Sequence, residues 1–200
     1  MSKFLIIGAT GTVGRATTKA LRKDTSNQLV LFARHATQRL RSDHQQTVID
    51  GDALRLADLL NAMKGVDGVL IAVSGPIDKI TQQVVYVMQQ AHITRVVLIS
   101  SVGIYNEVPA NIPTDNLDDS AILPRYRRSA DIVEASDLNY TVLRPGWFTD
   151  GPINYQMTKK GEPFGGMYVS VSSIADVVRR AFTEPDFGHR QSIGLNTPEA

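Results

Sequence analysis

The feature that most constrains this chain is a glycine spacing placed directly after its first apolar run. Phe4-Leu5-Ile6-Ile7 leads into Gly8-Ala9-Thr10-Gly11-Thr12-Val13-Gly14, and an amphipathic stretch begins at residue 12. A strand must hand over to a helix almost at once. Gly8 allows the tight turn, Gly11 presents bare backbone where a phosphate approaches, and Gly14 lets the helix pack close to the strand. The free N–H groups and positive dipole end of the new helix face the same point. Glycines also mark ordinary turns. The position after the first strand, at the opening of a helix and inside a βαβ unit, makes this spacing a pyrophosphate cradle built from Gly8, Thr10, Gly11, Thr12, Val13 and Gly14.

The rest of the chain supports that setting. Short, nearly continuous apolar runs at 4–7, 29–33, 47–49, 68–73 and 95–99 read as parallel strands buried on both faces. Helical patterns fall near 12–23, 53–63 and 78–91, with a short one at 36–42. Beyond Ser101 the spacing predicts a long loop over 103–120, a helix over 124–136 and a strand over 140–144. An irregular stretch follows over 145–168. Ser172 or Ser173 is expected to cap a helix reaching about residue 183, and a short strand over 191–194 closes the chain. The whole is an α/β chain with one Rossmann-type domain: a doubly wound, mostly parallel sheet with helices on both faces, residues 145–200 supplying the substrate-side loops.

Composition excludes several classes of function. The balance of 21 basic and 20 acidic residues gives no reason to expect nucleic acid as a partner, and the cluster Arg125, Arg127, Arg128 reads as a solvated helix face. There is no cysteine, so disulfides and thiolate metal sites are ruled out. The four histidines lie far apart without ligand spacing, and no metal is expected. The first residues do not read as a signal peptide, and no apolar run approaches a membrane span. A cytoplasmic protein is expected.

A second signal lies 20 residues beyond Gly14. A unit that binds NAD normally ends its second strand with an acidic residue for the ribose 2′-hydroxyl. Here the strand runs Leu31-Phe32-Ala33-Arg34-His35. Arg34 is suited to a 2′-phosphate through its planar fork, and Arg15, directly after Gly14, is placed to clamp the same group. The expected cofactor is therefore NADP(H).

Further segments carry a family resemblance. They are Gly8 to Gly14, Asp50-Gly51-Asp52, Ala72-Val73-Ser74, Leu98-Ile99-Ser100-Ser101, and Tyr140-Thr141-Val142-Leu143-Arg144-Pro145-Gly146. Together they resemble the atypical short-chain dehydrogenases/reductases, closest to the NmrA-like, NAD(P)H-binding branch with its flavin and biliverdin reductase-like proteins. The resemblance implies that Asp52 and Ala53 sit near the adenine. Asp52 also suits an N-cap for a helix starting at 53. It implies that Ala72, Val73 and Ser74 run past the ribose toward the nicotinamide, and that Pro145, Gly146, Trp147 and Phe148 border the nicotinamide and the substrate.

The resemblance also implies a Ser, a Tyr, and a Lys four residues after the Tyr. Ser101 and Tyr126 stand 25 residues apart, close to the expected interval, with Tyr105 as a third polar candidate. The fourth residue after Tyr126 is Ala130, so the usual proton relay is incomplete. Without the cation a phenol is a weak acid at neutral pH, though a usable hydrogen-bond donor. The aromatics Trp147, Phe148, Tyr155 and Phe164 predict a lid over a pocket for a planar substrate. The first reading is an NADP(H)-dependent oxidoreductase acting on a quinone, flavin or similar carbonyl acceptor. The second is a non-catalytic NADP(H)-binding sensor of the NmrA-like type, contacting a protein partner or a second copy. An epimerase or dehydratase on nucleotide sugars is disfavoured, because helices for a substrate domain are lacking.

Overall fold

The computed structural model describes residues 2–198. Its strands are β1 (Lys3–Ile7), β2 (Gln28–Ala33), β3 (Gln46–Asp50), β4 (Gly68–Ile71), β5 (Arg95–Ile99), β6 (Asn139–Pro145), β7 (Trp147–Thr149), β8 (Gln156–Lys159), β9 (Tyr168–Ser170) and β10 (Gln191–Asn196). Its helices are α1 (Thr12–Leu21), α2 (Leu56–Ala62), α3 (Ile77–Gln90), α4 (Leu123–Glu134) and α5 (Val171–Thr183). The main sheet runs β3-β2-β1-β4-β5-β6-β10-β8. Every pairing in it is parallel except β10 with β8. The chain reverses its direction of travel across the sheet between β1 and β4, the switch point where such sheets bind ligands beyond the strand ends.

Alternation along each strand divides the core. Leu5, Ile7, Val69, Ile71, Val96 and Leu98 point to one face, packing with residues of α2, α3 and α4. Phe4, Ile6, Leu70, Val97 and Ile99 point to the other, packing with residues of α1 and α5. Both faces must therefore be apolar, which is why the strands read as continuous runs rather than alternating ones.

Four expectations need correction. β4 ends at Ile71, so Ala72 and Val73 lie beyond the strand. α2 begins at Leu56 and its cap position is Arg55, so Asp52 is not an N-cap. Its carboxylate instead accepts the Leu54 N–H at 3.0 Å in a local turn, and such short-range bonds compete with helix extension. The cap of α5 is Ser170, whose hydroxyl accepts the Ser173 N–H at 3.1 Å. The stretch 145–168 is not wholly irregular. It carries β7, β8 and the start of β9, and β7 pairs with β9 in a separate parallel ribbon. At three or four residues, these strands are too short to show a period. Among the described residues no helix is long and apolar enough to cross a membrane.

Candidate cofactor and substrate site

Gly8 follows β1 with φ of +90°, a conformation that L side chains rarely adopt, and a Cβ there would lie 2.1 Å from the Ala72 carbonyl oxygen. A Cβ at Gly14 would lie 2.3 Å from the Gly8 carbonyl oxygen. These two glycines are required by the protein itself, one by the conformation of the turn and the other by the contact of α1 with that turn. Gly11 is different. Its φ of −80° is ordinary, and a Cβ there would meet only the Gly8 carbonyl oxygen, at 3.3 Å. A small shift of that carbonyl would admit a side chain, so the protein's own demand here is mild. Gly11 is also the N-cap of α1, with no side-chain cap and no acidic residue in the first turn. The N-terminal N–H groups of α1 thus face an open cradle, which fits a dinucleotide pyrophosphate.

The edge of the cradle nearest β2 is basic. Arg34 follows β2, is exposed and makes no ion pair among the described residues. Arg15 is held by a 2.9 Å bond from its Nε to the Thr10 carbonyl. The turn beyond Arg34 is pinned by Asp50, which accepts both the Thr37 N–H (2.9 Å) and its hydroxyl (2.5 Å). The Thr37 hydroxyl, then its N–H, hold the Asp50 carboxyl below the usual range. Ala53 is buried in the core behind the Asp52 turn.

A cavity of about 430 Å³ opens at the C-terminal ends of β5 and β6, lined by Ser101, Tyr126, Pro145, Gly146, Trp147 and Phe148 among others. With the β1-β4-β5 order, β5 is two strand spacings from the glycine turn, about 10 Å. Trp147 is 58% exposed and Phe148 47%, so the aromatic wall is free to receive a planar partner. The Trp147 indole is oriented by a 3.1 Å bond from its Nε1 to the Thr114 hydroxyl. Ser100 anchors α4 to the strand end by donating to the Tyr126 carbonyl at 3.2 Å. Ala130 is fully buried, so the position that would carry a lysine belongs to the core.

Two tyrosines expected at the site lie elsewhere. The Tyr105 hydroxyl donates to Glu134 at 2.5 Å, and its ring lies under Arg127, Arg144 and Lys160. Burial first, and the Glu134 contact second, push its pKa up despite the surrounding cations. The Tyr155 hydroxyl donates to Asp176 (3.0 Å) and accepts from Arg180 (3.1 Å). Neither lines the cavity. Phe164 is no part of a lid: it is buried in a satellite cluster with Val102, Val108 and Ile112.

The sequence reading missed Asp115, Ile122 and Leu123, which also line the cavity. It also missed Glu107. This buried carboxylate accepts the N–H groups of Gly103 (3.2 Å) and Tyr105 (2.7 Å) and pairs with the fully buried Arg144. It ties the loop after Ser101 to β6, and so joins two walls of the cavity. Nothing in the spacing of Glu107 marks it out. The apolar neighbours of Arg144 in its strand were the one available signal, since a buried arginine needs a partner.

The model of the NAD(P)H-binding family matches residues 8–185. A Rossmann-fold NAD(P)-binding family protein from Shigella flexneri is 32% identical with a TM-score of 0.87, the alignment covering 100% of this chain and 95% of that one. A short-chain dehydrogenase/reductase from Veillonella parvula in complex with NADP is 23% identical with a TM-score of 0.87, over 98% of this chain and 95% of its own. ChuY, an anaerobillin reductase from Escherichia coli O157:H7, is 22% identical with a TM-score of 0.81, over 100% and 98%. The last two share the fold. No curated protein matches the sequence.

Proposed function

The chain belongs to the NAD(P)H-binding family, and from that premise we propose that it is an NADPH-dependent oxidoreductase reducing a small planar or carbonyl acceptor such as a quinone or flavin. The observation that carries the reading is the aromatic-walled cavity two strands from an open phosphate cradle. When bound, the reduced nicotinamide supplies a hydride. Trp147 and Phe148 stack against the acceptor and exclude water from one side. Ser101 offers a hydrogen bond to the acceptor oxygen, and Tyr126 is a second donor. With no cation at residue 130, the acceptor takes its proton from water entering the open cavity.

Arg34 selects NADPH over NADH in this reading. Arg34→Ala should narrow the affinity gap between the two by roughly tenfold to a hundredfold, the scale of a charge-assisted hydrogen bond. Equal affinity for both cofactors in the parent protein would refute the selection.

Activity is tested by following NADPH oxidation with quinones, flavins and aldehydes beside a titration of NADP⁺ and NADPH. Tyr126→Phe should change turnover little, while Trp147→Ala should raise KM for the acceptor. A loss of more than about a hundredfold in Tyr126→Phe, with cofactor affinity unchanged, would make the phenol the proton donor instead. Ala130 favours a second reading, an NADP(H)-binding sensor. In that case the cofactor binds, no acceptor oxidises it, and binding alters a protein contact.

A further inference from the structure

Three arginines stand together on α4, and the structure separates them. Arg127 pairs with Asp131 at 2.8 Å and Arg128 with Asp78 at 3.0 Å. Arg125 has no acidic partner among the described residues. The one hydrogen bond of its guanidinium among those residues runs from Nη1 to the Gly75 carbonyl at 3.3 Å. A half-buried guanidinium with five N–H donors and one neutral acceptor has unused capacity for an anion.

Its position says which anion. The Ala72 carbonyl abuts Gly8 at the glycine turn, and Gly75 lies three residues further along the same segment. Arg125 therefore bridges α4 and the loop that leads from β4 into α3. Gly75 itself has a φ of +82°, and a Cβ there would meet nothing within 4 Å, so the turn under the guanidinium is open. With the pyrophosphate at the N-terminus of α1 and the adenine half directed toward Arg34 at the β2 edge, the other half must cross the end of β4 to reach the cavity at β5 and β6. Arg125 lies across that path, and its neighbour Tyr126 lines the cavity at its end.

We propose that Arg125 binds the ribose–phosphate of the nicotinamide half of NADP(H), as the α4 arginine left without a carboxylate at this edge, where residue 130 offers no cation. The inference rests on the cofactor-binding reading above. The test compares NADP⁺ with adenosine 2′,5′-bisphosphate, which keeps the adenine half and the 2′-phosphate but lacks the nicotinamide ribose–phosphate. Arg125→Ala should weaken NADP⁺ about tenfold or more while leaving the bisphosphate within about twofold. Arg34→Ala should weaken both. Arg125→Lys, which keeps the charge, should recover part of the NADP⁺ affinity. Circular dichroism and thermal unfolding confirm that each variant is folded, with Arg125→Gln replacing the alanine variant if that one is not. Unchanged NADP⁺ affinity in a folded Arg125 variant, or equal weakening of both ligands, overturns the proposal. If the parent protein binds neither ligand, the cofactor reading itself has failed, which is a separate outcome.

Discussion

Glu107→Ala is expected to lower stability by about 3–5 kcal/mol, the cost of leaving a buried charge without its partner. Arg144 is 0% exposed and Glu107 8%, so water cannot replace the lost carboxylate. In a chain of this length, that loss corresponds to a fall in Tm of roughly 6–20 °C. The same substitution releases the N–H groups of Gly103 and Tyr105, so the loop carrying Ser101 and Val102 should also loosen. Removing both charges is a different matter. A Glu107→Leu, Arg144→Met double variant should recover the part of the loss owed to the unpaired guanidinium, because apolar replacement of a buried pair is often neutral, while the cost of the two freed N–H groups remains. Thermal and denaturant unfolding of the single and double variants measure both effects. A single-variant loss below about 1 kcal/mol would mean that Arg144 finds another acceptor.

Gly11→Val should abolish cofactor binding in a folded protein, with affinity falling more than about a hundredfold. The backbone of Gly11 has an ordinary φ, and its nearest obstacle leaves room for the side chain to settle with a small shift. The branched side chain then occupies the cradle where the pyrophosphate must approach the α1 N–H groups. Gly14→Val is the contrast, because its Cβ collides with the Gly8 backbone and the cost falls on folding. Calorimetric titration and thermal unfolding of the two variants should therefore separate. Retained affinity in Gly11→Val would make that glycine a structural turn residue only.

Gly8, with its positive φ, and Gly14, packed on the Gly8 backbone, show what kind of demand a sequence makes visible. Theirs are local: a turn within β1–α1 and a contact between residues a few positions apart. Apart from the half-exposed edge strand β3, the strands read from the sequence were legible for a related reason. A strand covered on both faces must be apolar along its whole length, and only an α/β sheet buries so many of them. The approximate bounds of α1, α3, α4 and α5 followed from their 3.6-residue period.

The site was legible only in part. Ser101 and the 145–148 segment sit at strand ends, and strand ends converge on one edge once the sheet is parallel. Tyr126 reaches the same cavity because α4 is tied to that edge through Ser100. Tyr105 and Tyr155 looked equally available in the chain, yet Glu134 and Asp176 claim their hydroxyls from 29 and 21 residues away. Asp115 lies in a loop with no period to read. Arg125 was hidden among three similar arginines, and only the carboxylates facing its two neighbours set it apart.

The sequence by itself determined seven of the eight strands of the main sheet, the glycine turn after β1 and the cation at the end of β2, because each depends on the intrinsic conformation of a few consecutive residues or on burial along one strand. Only the tertiary structure decided which hydroxyls are free, which charges are paired and which side chains share a cavity. Those outcomes depend on partners brought close by packing, and a partner tens of residues away leaves no mark in the spacing of the residue it neutralises.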